Sequence, residues 1–187
     1  MKITIFNGSP ADHGGDINAY LERLSGILRS PDGGGHLVRE LKLRELNIKP
    51  CVGCFGCWLK TPGLCVHNDD SSIASDAAAN SEFLIHASPL VMGFTSSLLR
   101  WAAEKTIVNL LPYFSVIKGE VRHKWRYRSK APTIGVLVGR EGDTSEDDLE
   151  IIRDIYQQIA LEIQTRLRFV LDTGSHAQEV ANAINGN

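Results

Sequence analysis

Four cysteines, Cys51, Cys54, Cys57 and Cys65, crowd one segment with the spacing C-x2-C-x2-C-x7-C. Thiolates two residues apart can converge on one metal centre, and a fourth at Cys65 completes an all-cysteine set. That pattern serves a [4Fe–4S] cluster, a four-thiolate zinc site, or a structured loop with free thiols. Asn7-Gly8-Ser9-Pro10 forms a second chemical element. If it joins a strand to a helix, Ser9 and the backbone N–H groups after it can hold a phosphate with the help of the helix dipole. It is neither G-x-G-x-x-G nor a P-loop, so an ordinary turn stays open. Pro89, Leu90, Val91, Met92 and Gly93 offer apolar surface beside a glycine, either to wall a flat ring or to complete a core. Gly139, Arg140 and Glu141 offer N–H donors and a guanidinium, or a plain surface turn. The stretch RHKWRYRSK at 122–130 interleaves basic residues with Trp125 and Tyr127.

The elements that must position these residues follow from periodicity. Short β-branched, apolar runs predict strands at 2–6, 36–42, 83–87, 133–139 and 167–171. Helical spacing predicts helices over 17–29 (Asp16 as N-cap), 71–79, 95–110, 146–166 and 176–184. Alternation of strand and helix is the pattern of an α/β fold, a doubly wound parallel sheet with helices on both faces. Five strands favour the order 2-1-3-4-5. Ligands of such sheets bind beyond the carboxyl ends of the strands at the switch point. Here that edge gathers the loops 8–17, 89–95 and 139–145. The cysteine-bearing loop 44–72 starts beside them, and 111–130 is a basic insertion without clear period.

The chain has 187 residues, 43% of them apolar and 22% charged, which predicts one domain over 1–187 with a sizeable core. With 20 Lys and Arg against 22 Asp and Glu, the net charge is −2, so no overall field draws the chain to nucleic acid or to a membrane. The N-terminal apolar run is too short for a signal peptide, and no run spans a bilayer. A cytoplasmic location is expected, where clustered cysteines stay reduced, bind metal or do redox work.

Together these motifs resemble the flavodoxin-like NAD(P)H-dependent FMN reductases, in the branch of the iron–sulfur flavoproteins and multimeric flavodoxins. NGSP at 7–10 is similar to that family's phosphate loop, LNIKPCVGCFGCWLKTPGLCVHNDD at 46–70 is its most distinctive segment, and SPLVMGFTSSLLRW at 88–101 resembles its flavin-ring loop and following helix. The resemblance implies bound FMN. Ser9, Pro10, Asp16, Ile17 and Asn18 would sit at its phosphate, Pro89 to Gly93 would line the isoalloxazine, and Gly139 to Glu141 would approach its pyrimidine edge. It implies hydride transfer from NAD(P)H, electrons passed to a small-molecule or protein acceptor, and a homodimer or homotetramer. No side-chain acid or base is required. It also implies an alternative, an iron–sulfur flavoprotein with [4Fe–4S] on the four cysteines. Three positions depart from the pattern. Ala11 replaces a basic residue, Asp16-Ile17 replaces Asn-Thr, and Val91 stands where an aromatic is common. These departures imply weakened FMN binding or a module that has lost it, with Asn18 as a substitute donor.

Overall fold

The computed structural model describes residues 1–10, 15–117, 119–142 and 144–186. In chain order the elements are β1 (Lys2–Asn7), α1 (Gly15–Arg29), β2 (Leu37–Lys42), α2 (Gly56–Leu59), α3 (Ser71–Ala79), β3 (Phe83–Val91), β4 (Phe94–Thr95) and α4 (Ser97–Lys105). They continue with β5 (Leu110–Ile117), β6 (Glu120–Trp125), β7 (Thr133–Gly139), α5 (Glu146–Glu162), β8 (Leu167–Asp172) and α6 (Ala177–Asn185). The main sheet has the order β2-β1-β3-β7-β8, all parallel, with the two-residue β4 added antiparallel to β3. This is the doubly wound order expected from the sequence, and the fold is flavodoxin-like.

The central strands read as near-continuous apolar runs because both faces are covered. Ile3, Ile5, Phe83, Ile85 and Ala87 pack against Leu21, Leu24 and Leu28 of α1 and Val180 and Ile184 of α6. On the other face Phe6 and Leu84 meet Ala74, Ala77 and Leu99 from α3 and α4. Ile134, Val136 and Val138 meet Leu149, Ile152 and Tyr156 of α5. Gly135 permits one close approach: a Cβ there would fall 2.5 Å from the Phe169 ring. The acidic start of α5 is fixed by a capping box, in which Ser145 accepts from the Asp148 N–H and Asp148 from the Ser145 N–H.

Three expectations are corrected. The third strand extends to Val91 and turns back through Met92 and Gly93, whose φ angles of 53° and 76° match a two-residue primed hairpin turn. The insertion 111–130 is largely a β5–β6 hairpin, whose alternation is blurred by a register shift between Leu111 and Phe114. Helix α1 starts at Gly15, so Asp16 lies in its first turn rather than capping it. The described residues include no helix long and apolar enough to cross a membrane.

Candidate functional site

The C-terminal edge of the sheet is organised by Asn7, the last residue of β1. Its side chain is buried and fully used. Nδ2 donates to Asn18 Oδ1 at 2.8 Å and to Glu40 Oε1 at 2.7 Å, and Oδ1 accepts the Ser9 N–H at 3.0 Å. The last bond is an Asx-type turn that bends the chain away from the strand. Gly8 follows because nothing larger fits: a Cβ there would lie 2.6 Å from Leu99 Cβ. The Gly8 carbonyl accepts from Ser96 Oγ at 2.5 Å, while Ser96 also caps α4 by accepting from the Leu99 N–H. Ser96 N–H in turn donates to Ser88 Oγ at 2.8 Å. These bonds lock the loop after β1 to the segment after β3.

Arg44 enters the same rim from the short 3-10 turn Leu43–Glu45 that follows β2. Its Nη1 lies 3.4 Å from the Ser9 carbonyl oxygen and 3.5 Å from Asn18 Oδ1. Both bonds are long and therefore weak. Arg44 escaped the sequence reading. Its signal was its place just beyond the carboxyl end of the strand beside β1, which the topology aims at the rim.

The structure sorts the sequence-derived site residues. Ser9 is buried, and its hydroxyl donates to the Pro10 carbonyl at 3.2 Å. Pro10 and Asn18 are half-buried at the rim. Ile17 is packed in the α1 core with Leu21 and Ile85, its side chain also reaching Gly139, and Leu90 is wholly buried among the α5 contacts, so neither side chain is open to solvent at the rim. Ala11 and the rest of 11–14 lie outside the described residues, as does the side chain of Asp16. Pro89 sits opposite Gly139 across β3 and β7. A Cβ on Gly139 would meet Pro89 at 3.6 Å, an ordinary contact, so this glycine is not forced by space alone. Val91 is exposed and Met92 is 96% exposed at the hairpin tip, an uncovered apolar edge beside Gly93.

Arg140 is not available as a lone donor. Its Nη1 pairs with Glu146 at 2.7 Å and its Nε with Asp172 at 2.7 Å. Glu146 first and Asp172 second hold its pKa above the usual arginine value. The Glu141 N–H is also taken, by Thr144 Oγ1 at 3.0 Å.

The cysteine segment forms a separate centre. Cys51, Cys54, Cys57 and Cys65 all line one cavity of about 20 Å³ with Phe55, His67 and Lys105. Burial raises the Cys57 pKa, and the neighbouring Cys51, Cys65 and Cys54 raise it further. Yet among the described residues no three His, Cys, Asp or Glu side chains are grouped to hold a metal ion. None of the four cysteines is in a disulfide, and the [4Fe–4S] expectation gains no support from the grouping of their side chains. His67 is exposed, 4.0 Å from Cys54 Sγ. What anchors the segment is a buried pair: Lys105 Nζ donates to Asp69 Oδ2 at 3.1 Å and to Cys65 Sγ at 3.2 Å. Burial opposes the charge on each, but the Ser71 hydrogen bonds first, then Lys49 N–H and Lys105, bring Asp69 down to about 2. Lys105 is held above the usual lysine value by Cys65 and Asp69 despite its burial.

Trp58 joins this segment to the β5–β6 hairpin. Its indole N–H donates to the Leu110 carbonyl at 3.0 Å, and its ring packs on Phe55 and His123. Three of the six basic residues of the stretch 122–130 are engaged within the chain. Arg122 pairs with Glu120 and Glu162, His123 Nδ1 lies 2.6 Å from Glu162, and Arg126 donates to the Val108 and Leu110 carbonyls.

No protein-family model matches the chain, and no curated protein matches its sequence. Solved structures do. An NAD(P)H:quinone oxidoreductase from Methanothermobacter marburgensis aligns with TM-score 0.66 and 12% identity, covering 99% of this chain and 92% of that one. An FMN-dependent NADH-azoreductase from Bacillus anthracis, solved with FMN, aligns with TM-score 0.61 and 12% identity over 100% and 95%. An NADH:FMN oxidoreductase, solved in its apo form, aligns with TM-score 0.57 and 16% identity over 99% and 87%. At these identities the likeness is one of fold.

Proposed function

We propose that the chain is an FMN-dependent NAD(P)H oxidoreductase of the quinone- and flavin-reductase type. The observation that carries the reading is the convergence of the Asn7–Pro10 turn, Arg44 and the exposed Val91–Met92 tip on one edge of this sheet. A phosphorylated flavin needs positive charge at one end and apolar surface at the other, and the residues present fit it in both respects. Arg44 would countercharge the phosphate, in place of the basic residue that Ala11 lacks. Val91 and Met92 would cover the ring, and Gly139 leaves its approach clear.

Bound FMN supplies the hydride and electron chemistry, which a protein scaffold orients rather than performs. The chain's own residues bind and position. The Ser96–Gly8 and Ser96–Ser88 bonds keep the phosphate-side loop and the ring-side segment at fixed separation. Arg140, engaged by Glu146 and Asp172, braces the third loop rather than charging the pocket. The acceptor is a small molecule or a redox protein.

The test is reconstitution. Apo protein titrated with FMN should quench flavin fluorescence at one equivalent per chain, and the loaded protein should oxidise NADH or NADPH with a quinone acceptor. A chain that never takes up FMN overturns the reading and leaves a flavodoxin-fold module without its flavin.

We also infer self-association through the β5–β6 hairpin. Phe114, Val116 and Val121 share one face by strand register and are more than half exposed. Sedimentation of wild type against Val116→Lys decides this. Monomers of both refute it.

A further inference from the structure

A second cavity lies away from the rim, between the α4 and α5 face of the sheet and Trp125 at the end of β6. Its volume is about 270 Å³, and Leu84, Ile134, Ile155, Ile159 and Ile163 make its walls largely apolar. That is roughly nine times the volume one water occupies in the liquid, room for one or two rings.

Its polar inventory is uneven. Most polar side chains lining it are already paired. Tyr156 is hydrogen-bonded to Thr95. Thr106 Oγ1 donates to the Ala103 carbonyl at 2.7 Å. Asn109 donates to the Ser75 carbonyl at 2.9 Å and accepts from the Tyr127 hydroxyl at 3.1 Å. At the exposed mouth, Arg100 Nε and Glu104 Oε1 pair at 2.9 Å, so their charges cancel. Two aromatic rings are the exceptions. Both nitrogens of His86 and the Nε1 of Trp125 are buried without any partner. His86 is 3% exposed, stacked on Phe6 with ring centroids 5.6 Å apart and set edge-on to Tyr156.

Buried donors and acceptors are nearly always satisfied, and each orphan calls for an explanation. Here the two rings that carry the three orphaned atoms both line one apolar cavity. We infer that this cavity binds an uncharged aromatic molecule bearing a hydroxyl group, held between the imidazole of His86 and the indole of Trp125. The chemistry matches two of the three atoms, one imidazole nitrogen and the indole N–H. A neutral imidazole offers one acceptor and one donor, and an indole offers a donor only. A hydroxyl can donate to the bare imidazole nitrogen and accept from the indole N–H. An anion would have to enter an apolar site where Arg100, the cation among the described lining residues, is already paired, and a bare hydrocarbon would leave all three atoms unsatisfied. Burial lowers the His86 pKa to about 4, which keeps the ring neutral at neutral pH.

The site is distinct from the rim, and the inference does not depend on flavin binding. The experiment titrates the whole chain with 2-naphthol, naphthalene and 2-naphthoate at pH 7. Calorimetry follows each, and the Trp125 indole N–H is followed by NMR with Trp125→Phe as its assignment. The expected result is saturable one-to-one binding of 2-naphthol, at least tenfold tighter than naphthalene, with a shifted Trp125 signal and no binding of 2-naphthoate. His86→Phe keeps the stacked ring and should lower 2-naphthol affinity about tenfold without weakening naphthalene. Trp125→Phe should do the same by removing the second donor, and Ala103→Phe should abolish binding by filling the space. FMN affinity of these variants should equal wild type. Equal affinity for naphthol and naphthalene, binding that survives Ala103→Phe, or no saturable binding each overturns the inference. So does a dimer whose interface seals the mouth at Arg100 and Ile155.

Discussion

Arg44 Nη1 stands 3.4 Å from the carbonyl oxygen of Ser9, bridging the turn after β2 to the turn after β1. The strand order makes this contact, since β2 pairs directly with β1. If Arg44 is the phosphate's countercharge, Arg44→Gln should weaken FMN binding about tenfold, equal to about 1.4 kcal/mol. The salt dependence of binding should flatten as well, because a screened charge has been removed. Fluorescence titration at two ionic strengths measures both. An unchanged dissociation constant would remove Arg44 from the site.

Ile17 makes the opposite case. The family resemblance implies a hydroxyl donor at this position, so on that ground Ile17→Thr would be expected to tighten FMN. In the structure Ile17 is 3% exposed in the α1 core. The substitution deletes buried methyl surface and buries a hydroxyl. It should therefore cost about 1–3 kcal/mol of stability and leave FMN affinity unchanged. Urea unfolding and flavin titration on the same variant separate the two accounts.

The backbone plan was legible because it rests on period and punctuation. Apolar runs such as Lys2–Asn7 and Thr133–Gly139 are buried on both faces, and their hydrophobicity announces that. The extension of β3 to Val91 was hidden, since Pro89 and the Met92–Gly93 turn look like loop chemistry until Phe94 and Thr95 pair back. The rim was legible as loops but not as side chains. Which way Ser9, Ile17 and Leu90 point depends on packing partners far away in the chain, such as Ile85 for Ile17. Arg44 and the Lys105–Asp69 pair were illegible for the same reason: nothing local marks a lysine that will meet an aspartate 36 residues away.

That buried pair carries its own prediction. Lys105 and Asp69 side chains are 2% and 0% exposed. Lys105→Met leaves the Asp69 carboxylate buried without its ammonium, which should destabilise by about 3–5 kcal/mol. Lys105→Met with Asp69→Asn removes both charges and should recover much of that loss. Asp69 also sets an acid limit. Its folded pKa of about 2 lies below the ordinary 3.8, so its contribution is present above pH 3.8 and is lost as pH falls through about 2. Equilibrium unfolding of the three proteins at neutral pH tests the pair. A double variant no more stable than Lys105→Met would show that packing, not charge, governs the site.

His86 sets a separate and milder limit. Its ring is buried against Phe6 and Tyr156, and burial lowers its pKa from 6.5 to about 4. Tyr156 is pushed up to about 12 by its own burial and stays neutral throughout, and Glu104 at the cavity mouth is paired with Arg100. For a base with a depressed folded pKa, the unfolded chain binds the proton first. Stability is therefore full above pH 6.5 and falls as pH drops from 6.5 toward about 4. The total is about 3 kcal/mol, of which about 2 kcal/mol is lost by pH 5. Urea midpoints at pH 7 and pH 5 should differ accordingly in wild type. His86→Phe has no proton to take up and should lose this share of the slope, while gaining stability at pH 7 from replacing an unsatisfied polar ring with an apolar one. Equal pH dependence in the two proteins would mean that the imidazole has found a partner in solution.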